Sequence, residues 1–150
     1  MRGFTLLEVL VVMLIIGIMT TMVSLSLAPD SHRVLEDEAY RFARVLEQAS
    51  EAGSEGELLG LTLTRDGYGF HRQDERGRWL RANDDFLGPH RWPDGVHVVA
   101  LREPISAAPW AMWRDGQSPW LQFAFAAGRQ RLLVELTPLG RVSVRAMADG

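Results

Sequence analysis

The chain has 150 residues and a mass of 16.8 kDa, room for one modest domain with an appendage and too little for two full catalytic domains. Its averages, 47% apolar, 23% charged, a net charge of -3 and a mean hydropathy of -0.05, exclude a disordered polar chain, a polytopic membrane protein and a strongly basic nucleic-acid coat. The absence of cysteine excludes disulfide scaffolds, thiolate metal sites and Cys nucleophiles, and the 16 basic residues are all Arg, which excludes Schiff-base chemistry and a Walker-type lysine.

The averages conceal an uneven distribution. From Val9 to Ala28 no residue is charged, and a helix of that length spans about 30 Å, the hydrocarbon thickness of a bilayer. The run therefore predicts a transmembrane helix. A cleaved secretory signal is the competing reading, and three details oppose it. The run exceeds the roughly 7 to 15 apolar residues of a signal core, its small-residue pattern Ser26-Leu27-Ala28 is followed by Pro29, and a carboxylate, Glu8, stands at its start. An ionised carboxylate near the apolar part of a membrane helix costs a few kcal/mol on insertion scales, about 2.5 to 3.5 at the helix centre and less near its end, so it is retained where it has a partner or a function.

The string Gly3-Phe4-Thr5-Leu6-Leu7-Glu8-Val9, followed by the uncharged residues to Ile18, resembles the class III signal of type IV pilins and type II secretion pseudopilins. The resemblance implies cleavage by a prepilin peptidase between Gly3 and Phe4, methylation of the new N-terminus at Phe4, and a leader of residues 1–3. It also gives Glu8 a role in filament assembly: its carboxylate pairs with the N-terminal amine of a neighbouring subunit, because an unpaired charge in a low-dielectric helix bundle is expensive. Neutralisation within the same chain is the alternative. Arg2 supplies the positive charge that favours a cytoplasmic N-terminus.

Beyond the membrane segment, assigned to residues 4–28, the helix is predicted to continue over 29–53. Leu35, Ala39, Phe42, Leu46 and Ala49 recur at spacings of four and three, one apolar stripe on an otherwise charged helix. Leu35, Phe42 and Leu46 are the residues expected to seat this helix on a sheet. Asp37 and Arg41 form an i,i+4 pair in the favourable order; Pro29 is expected to bend or interrupt the helix and Gly53 to end it. The β-rich head, residues 54–150, begins with Leu59, Leu61 and Leu63 in alternation, and Asp66-Gly67 offers a hairpin turn into Tyr68, Phe70 and Arg72. Further period-two runs cover 96–102, 120–126, 132–137 and 141–146, the last three forming an antiparallel meander; 103–119 reads as an irregular loop or short edge segment. Charge follows the same division: residues 30–57 carry net -5 and residues 58–150 net +2.

In order along the head, Gly60-Leu61, Arg65-Asp66-Gly67-Tyr68-Gly69-Phe70, Arg78-Trp79-Leu80, Pro93-Asp94-Gly95-Val96, Gly116-Gln117-Ser118-Pro119-Trp120 and Gly140-Arg141-Val142 resemble the H-type minor pseudopilins of type II secretion systems. The fold class implied is α+β and pilin-like, a long N-terminal helix, its first half transmembrane, packed on a β-rich head of two antiparallel sheets. The resemblance further implies a non-enzymatic structural subunit, single-pass in a bacterial inner membrane with a periplasmic head. Its implied partners are the prepilin peptidase, the major and other minor pseudopilins, the inner-membrane secretion platform and, beyond these, exported proteins or the outer-membrane channel.

The competing readings are a membrane-anchored enzyme and a DNA-binding minor pilin of a type IV pilus. For the first, His32, His71, His90 and His97 lack metal-ligand spacing, Ser118 fails the nucleophile-elbow pattern, Asn83-Asp84-Asp85 reads as a polar turn rather than a calcium loop, and Glu135 and Asp115 form no recognisable acid–base pair. No catalytic residue, metal or cofactor is assigned. For the second, Arg65, Arg72, Arg76, Arg78 and Arg81 surround Phe70 and Trp79, the mixture that single-stranded nucleic acid uses. Asp66, Asp74 and Glu75 reduce residues 65–81 to net +2, which favours a solvated sheet face over nucleic acid.

Overall fold

The computed structural model describes residues 6–26, 31–104 and 107–147, with side chains of the first segment described as far as Met19. The chain divides into two compact units between residues 30 and 31. The first contains one helix, α1 (Leu6–Ser26), whose side chains from Leu6 to Met19 are exposed on every face. Among the described residues no helix is long and apolar enough to cross a membrane; the described side chains of α1 cover about 21 Å at about 1.5 Å per residue. The span expected over 4–28 extends past them at both ends. Pro29 lies outside the described residues.

The second unit opens with α2 (Ser31–Ser54). Its stripe is fully buried: Leu35, Ala39, Phe42, Leu46 and Ala49 each have 0% exposure. Gly53 does not end this helix, as the sequence suggested. It lies inside the last turn because Trp113 packs there, and a Cβ on Gly53 would come within 2.9 Å of the Trp113 Cβ. The helix is terminated by Gly56, whose φ of +108° is the left-handed conformation that glycine adopts without penalty. The amide of Gly56 donates to Gly53 O at 3.2 Å and that of Glu57 to Ala52 O at 3.0 Å, a Schellman pattern that satisfies two terminal carbonyls.

Two antiparallel sheets complete the unit. The first contains β1 (Leu59–Thr64), β2 (Gly67–Gln73), β3 (Trp79–Arg81) and β4 (His90–Arg91), joined at the other edge by a two-strand-residue piece described below. The second begins with β5 (His97–Arg102). After it, β6 (Trp110–Ala111) returns to the first sheet and pairs with β1. The meander β7 (Leu121–Ala127), β8 (Gln130–Leu136) and β9 (Val142–Ala146) then completes the second. The strand orders are β3-β2-β1-β6, with β4 also on β2, and β5-β7-β8-β9. Strict alternation in β7 buries Leu121, Phe123, Phe125 and Ala127, the period-two signature of a strand with one face on the core.

The β1–β2 hairpin differs from the sequence expectation by one residue. Gly67 is not a turn residue: it is already paired with Thr64, and Arg65 and Asp66 make the turn. The glycine is required by a close approach, since a Cβ at this position would lie 2.0 Å from the carbonyl oxygen of His90 in β4. Neither β3 nor β4 is visible as a periodic pattern, because runs of two or three residues carry no period.

Phe42 is the centre of the core. Its ring lies 4.8 Å from Tyr68, 5.5 Å from Trp92, 5.1 Å from Phe123 and 5.5 Å from Phe125, centroid to centroid. One helical side chain thus touches the first sheet, the segment after β4 and the second sheet, mostly in edge-to-face geometry. Phe42→Ala is expected to cost about 3 to 5 kcal/mol, read by denaturant unfolding of the full chain in detergent. Gly67→Ala should destabilise clearly more than Gly69→Ala, because a Cβ at Gly69 meets nothing nearer than 3.9 Å; equal effects in the same assay would contradict the close β2–β4 approach.

Candidate functional site

The residues singled out in the sequence fall in two places. Gly3 and Phe4 lie outside the described residues. Glu8 occupies the first turn of α1, where the helix dipole favours an acid. Around it Leu6, Leu7, Val9, Leu10, Val11 and Val12 are 42% to 85% exposed. A helix apolar on all faces is stable only when lipid or other helices cover it. Leu35, Phe42 and Leu46 are elsewhere, wholly buried in the core of the second unit.

A polar cluster that the sequence reading did not find ties α2 to the head. Glu38, 6% exposed, accepts from His90 Nε2 at 2.6 Å, and Arg41, one turn on, lies against the same imidazole and donates to Nδ1. Arg41 therefore turns to His90 and not to Asp37, the i,i+4 partner expected from spacing. A specific tertiary hydrogen bond outweighs an exposed helix pair that contributes only about 0.3–0.5 kcal/mol. Glu38 carried no usable signal in the sequence, since an acid beside an apolar stripe reads as solvated. Tyr68, its ring tilted 47° to that of His90 with centroids 5.3 Å apart, has its phenol pushed up to about 12, chiefly by burial.

The other chemically suggestive residues are structural or dispersed. Ser118 Oγ is buried, donates to Met112 O at 3.2 Å and accepts from Ser50 Oγ at 3.2 Å, closing the end of α2 against the β6 segment. Glu135 accepts from Trp120 Nε1 at 2.8 Å and pairs with Arg145 at 3.2 Å. Among the described residues no group of three or more His, Cys, Asp or Glu could hold a metal ion. The arginine and aromatic mixture of 65–81 does not form one surface: Phe70 points into the core with 0% exposure, Arg78 pairs with Asp74 at 2.8 Å and Arg72 with Asp84 at 2.7 Å.

Two of these aspartates fold the loops beside the first sheet. Asp84 Oδ1 accepts from the amides of Leu87 at 2.6 Å and Phe86 at 3.2 Å, which holds its carboxyl below the usual range, with the Arg72 guanidinium adding to the effect. Asp74 Oδ1 accepts from the amides of Arg78 at 2.8 Å and Arg76 at 2.9 Å, and its carboxyl is likewise lowered, first by the Arg78 amide. A carboxyl lowered in the folded state stabilises the fold above its unfolded value, about 3.9, and loses that contribution as pH falls through the lower folded value. Asp84→Ala should therefore reduce stability at neutral pH and flatten the loss of stability as pH falls below about 4, read by denaturant unfolding across the acid range.

Residues 1–24 match the prokaryotic N-terminal methylation motif. Type II secretion system protein H of Aeromonas hydrophila is 38% identical over 108 residues, 69% of this chain and 59% of that protein. The protein of the same name from Pseudomonas aeruginosa is 38% identical over 101 residues, 65% of this chain and 57% of that protein. The matched region thus spans less than two thirds of either relative. Among solved structures, the minor pseudopilin EpsH from the type 2 secretion system of Vibrio cholerae superposes with a TM-score of 0.62 over 74% of this chain and 95% of its own, at 15% identity, a likeness of fold. The chain therefore carries a prokaryotic N-terminal methylation motif, is a relative in sequence of the type II secretion H proteins, and has the fold of a minor pseudopilin.

Proposed function

We propose that this chain is an H-type minor pseudopilin, a structural subunit of a type II secretion pseudopilus that helps to export folded proteins across the outer membrane. The observation that carries the proposal is the 38% identity to type II secretion system protein H over 69% of the chain, most of its length. The uniformly apolar α1 with one acid in its first turn supports it, because such a helix needs a membrane before assembly and a bundle of like helices afterwards. In this reading the N-terminus is cytoplasmic, residues 4–28 span the inner membrane, and the head is periplasmic. The prepilin peptidase cuts after Gly3 and methylates Phe4.

Glu8 then has a defined task. In the bilayer its carboxylate is costly; in the filament the N-terminal amine of a neighbour offsets that cost. The pair acts as a register device, since displacing the subunit along its neighbour would leave both charges unpaired. The partners follow: prepilin peptidase, the major and other minor pseudopilins, the inner-membrane platform, and exported proteins or the outer-membrane channel. No step of this function requires catalysis by the chain itself.

The test is complementation of a secretion strain lacking its own H-type pseudopilin. The wild-type chain should restore export and co-purify with other pseudopilins. Gly3→Val should leave an N-terminus at Met1 by mass spectrometry, and Glu8→Gln should be processed normally yet be lost from the co-purified assembly. Normal incorporation of Glu8→Gln would overturn the pairing role, and a processed chain that never associates with pseudopilins would overturn the function.

A further inference from the structure

The outer face of the first sheet carries an arrangement that packing does not explain. Leu59, Leu61, Leu63, Tyr68 and Phe70 face the core, so the alternate positions Thr62, Thr64, Gly67, Gly69 and His71 form the opposite face. On the far side of β2, Arg81 of β3 is paired with His71 and Arg91 of β4 with Gly67. The two arginines therefore stand on one face and one edge, about 14 Å apart along the strand, with the side-chain-free Gly69 between them. They border a cavity of about 250 Å³ that Thr62, Gly69, His71, Pro89 and His90 also line.

The charges there are unbalanced. Neither arginine makes a side-chain hydrogen bond or ion pair with another described residue, whereas Arg72 of β2 and Arg78 just before β3 each hold a carboxylate. Asp66 is the one acid at the cavity wall. Burial and the neighbouring Arg81 hold the His71 imidazole below its ordinary value, so it is neutral at neutral pH. Two guanidiniums against one carboxylate leave a charge of +1. That charge matches a monoanion better than a phosphate dianion, and the spacing lets two long side chains converge over Gly69.

We propose that this cavity binds a single carboxylate, held by Arg81 and Arg91 with the Thr62 hydroxyl as a third contact, and that the carboxylate is an Asp or Glu side chain of a neighbouring subunit. The assignment of its source rests on the filament reading; the existence of the site does not. Guanidinium groups suit the task because their planar donors meet carboxylate oxygens in pairs. The Thr62 hydroxyl is 3.3 Å from His71 Nδ1; in the tautomer with the proton on Nδ1 the imidazole donates to Thr62 Oγ1, and the hydroxyl proton is left for the ligand.

The site is tested by titrating the isotope-labelled full chain in detergent with blocked glutamate, using blocked glutamine and inorganic phosphate as comparisons. Blocked glutamate should shift the amides of Thr62, Gly69 and His71 saturably and raise the His71 imidazole pKa by about one unit, as a nearby anion does. Blocked glutamine should do neither, and Arg81→Gln and Arg91→Gln should each weaken binding about tenfold or more. Absence of saturation, unchanged affinity in the double variant, or tighter binding of phosphate would overturn the site. The source is read separately: because the chain has no cysteine, Thr64→Cys, at the exposed border of the cavity and outside the proposed contacts, carries a photocrosslinker that reports the neighbour in secreting cells. A crosslink to another pseudopilin is expected. If the titration succeeds and that crosslink fails, the neighbouring-subunit source is overturned while complementation of export still judges the function.

Discussion

The packing of Phe42 against four aromatic rings is the interaction on which the globular unit depends. Among the described residues it is the one helical ring that meets aromatic side chains of both sheets. Here one ring reaches Tyr68 of the first sheet, Phe123 and Phe125 of the second, and Trp92 beyond β4. The aromatic neighbours also contact one another, with Trp92 5.1 Å from Tyr68 and 5.4 Å from Phe125. Close-packed interiors do not relax freely around a missing ring, so the position of the helix and the separation of the sheets are set together.

The two helices solve different physical problems with different compositions. In α2 the apolar residues occupy one stripe and the unit supplies its own cover. In α1 they occupy every described face, so the cover has to come from lipid or from other helices. That contrast, and not overall hydropathy, distinguishes the part of the chain that folds on itself from the part suited to an apolar surrounding. The near-zero mean hydropathy is an average of the two.

Electrostatics in the head serve geometry first. Asp74 and Asp84 close loops by accepting backbone amides, Glu38 and Arg41 fix the imidazole of His90, and Glu135 gathers Trp120, Gln122 and Arg145. Arg81 and Arg91 stand apart from this pattern. Their side chains border an open cavity that Gly67 and Gly69 also line.

Much of this was readable in the chain. Charge-free length, the Gly3-to-Glu8 string, the stripe of Leu35, Phe42 and Leu46, and the alternation in β1, β2, β5, β7, β8 and β9 depend on period and local order, which a sequence states directly. The hairpin at 64–67 and the end of α2 were placed within three residues, yet the glycines were given the wrong reasons. Gly67 and Gly53 are dictated by His90 and Trp113, which lie 23 and 60 residues further along the chain. The same holds for β3, β4 and β6, which are too short to show a period and exist because a neighbouring strand offers them an edge. Sequence by itself determined which segments are apolar, on which faces, and what family they resemble. Only the tertiary structure decided which side chains meet, because the Glu38–His90–Arg41 network, the close approaches at glycine and the Arg81–Arg91 cavity join residues that no local pattern connects.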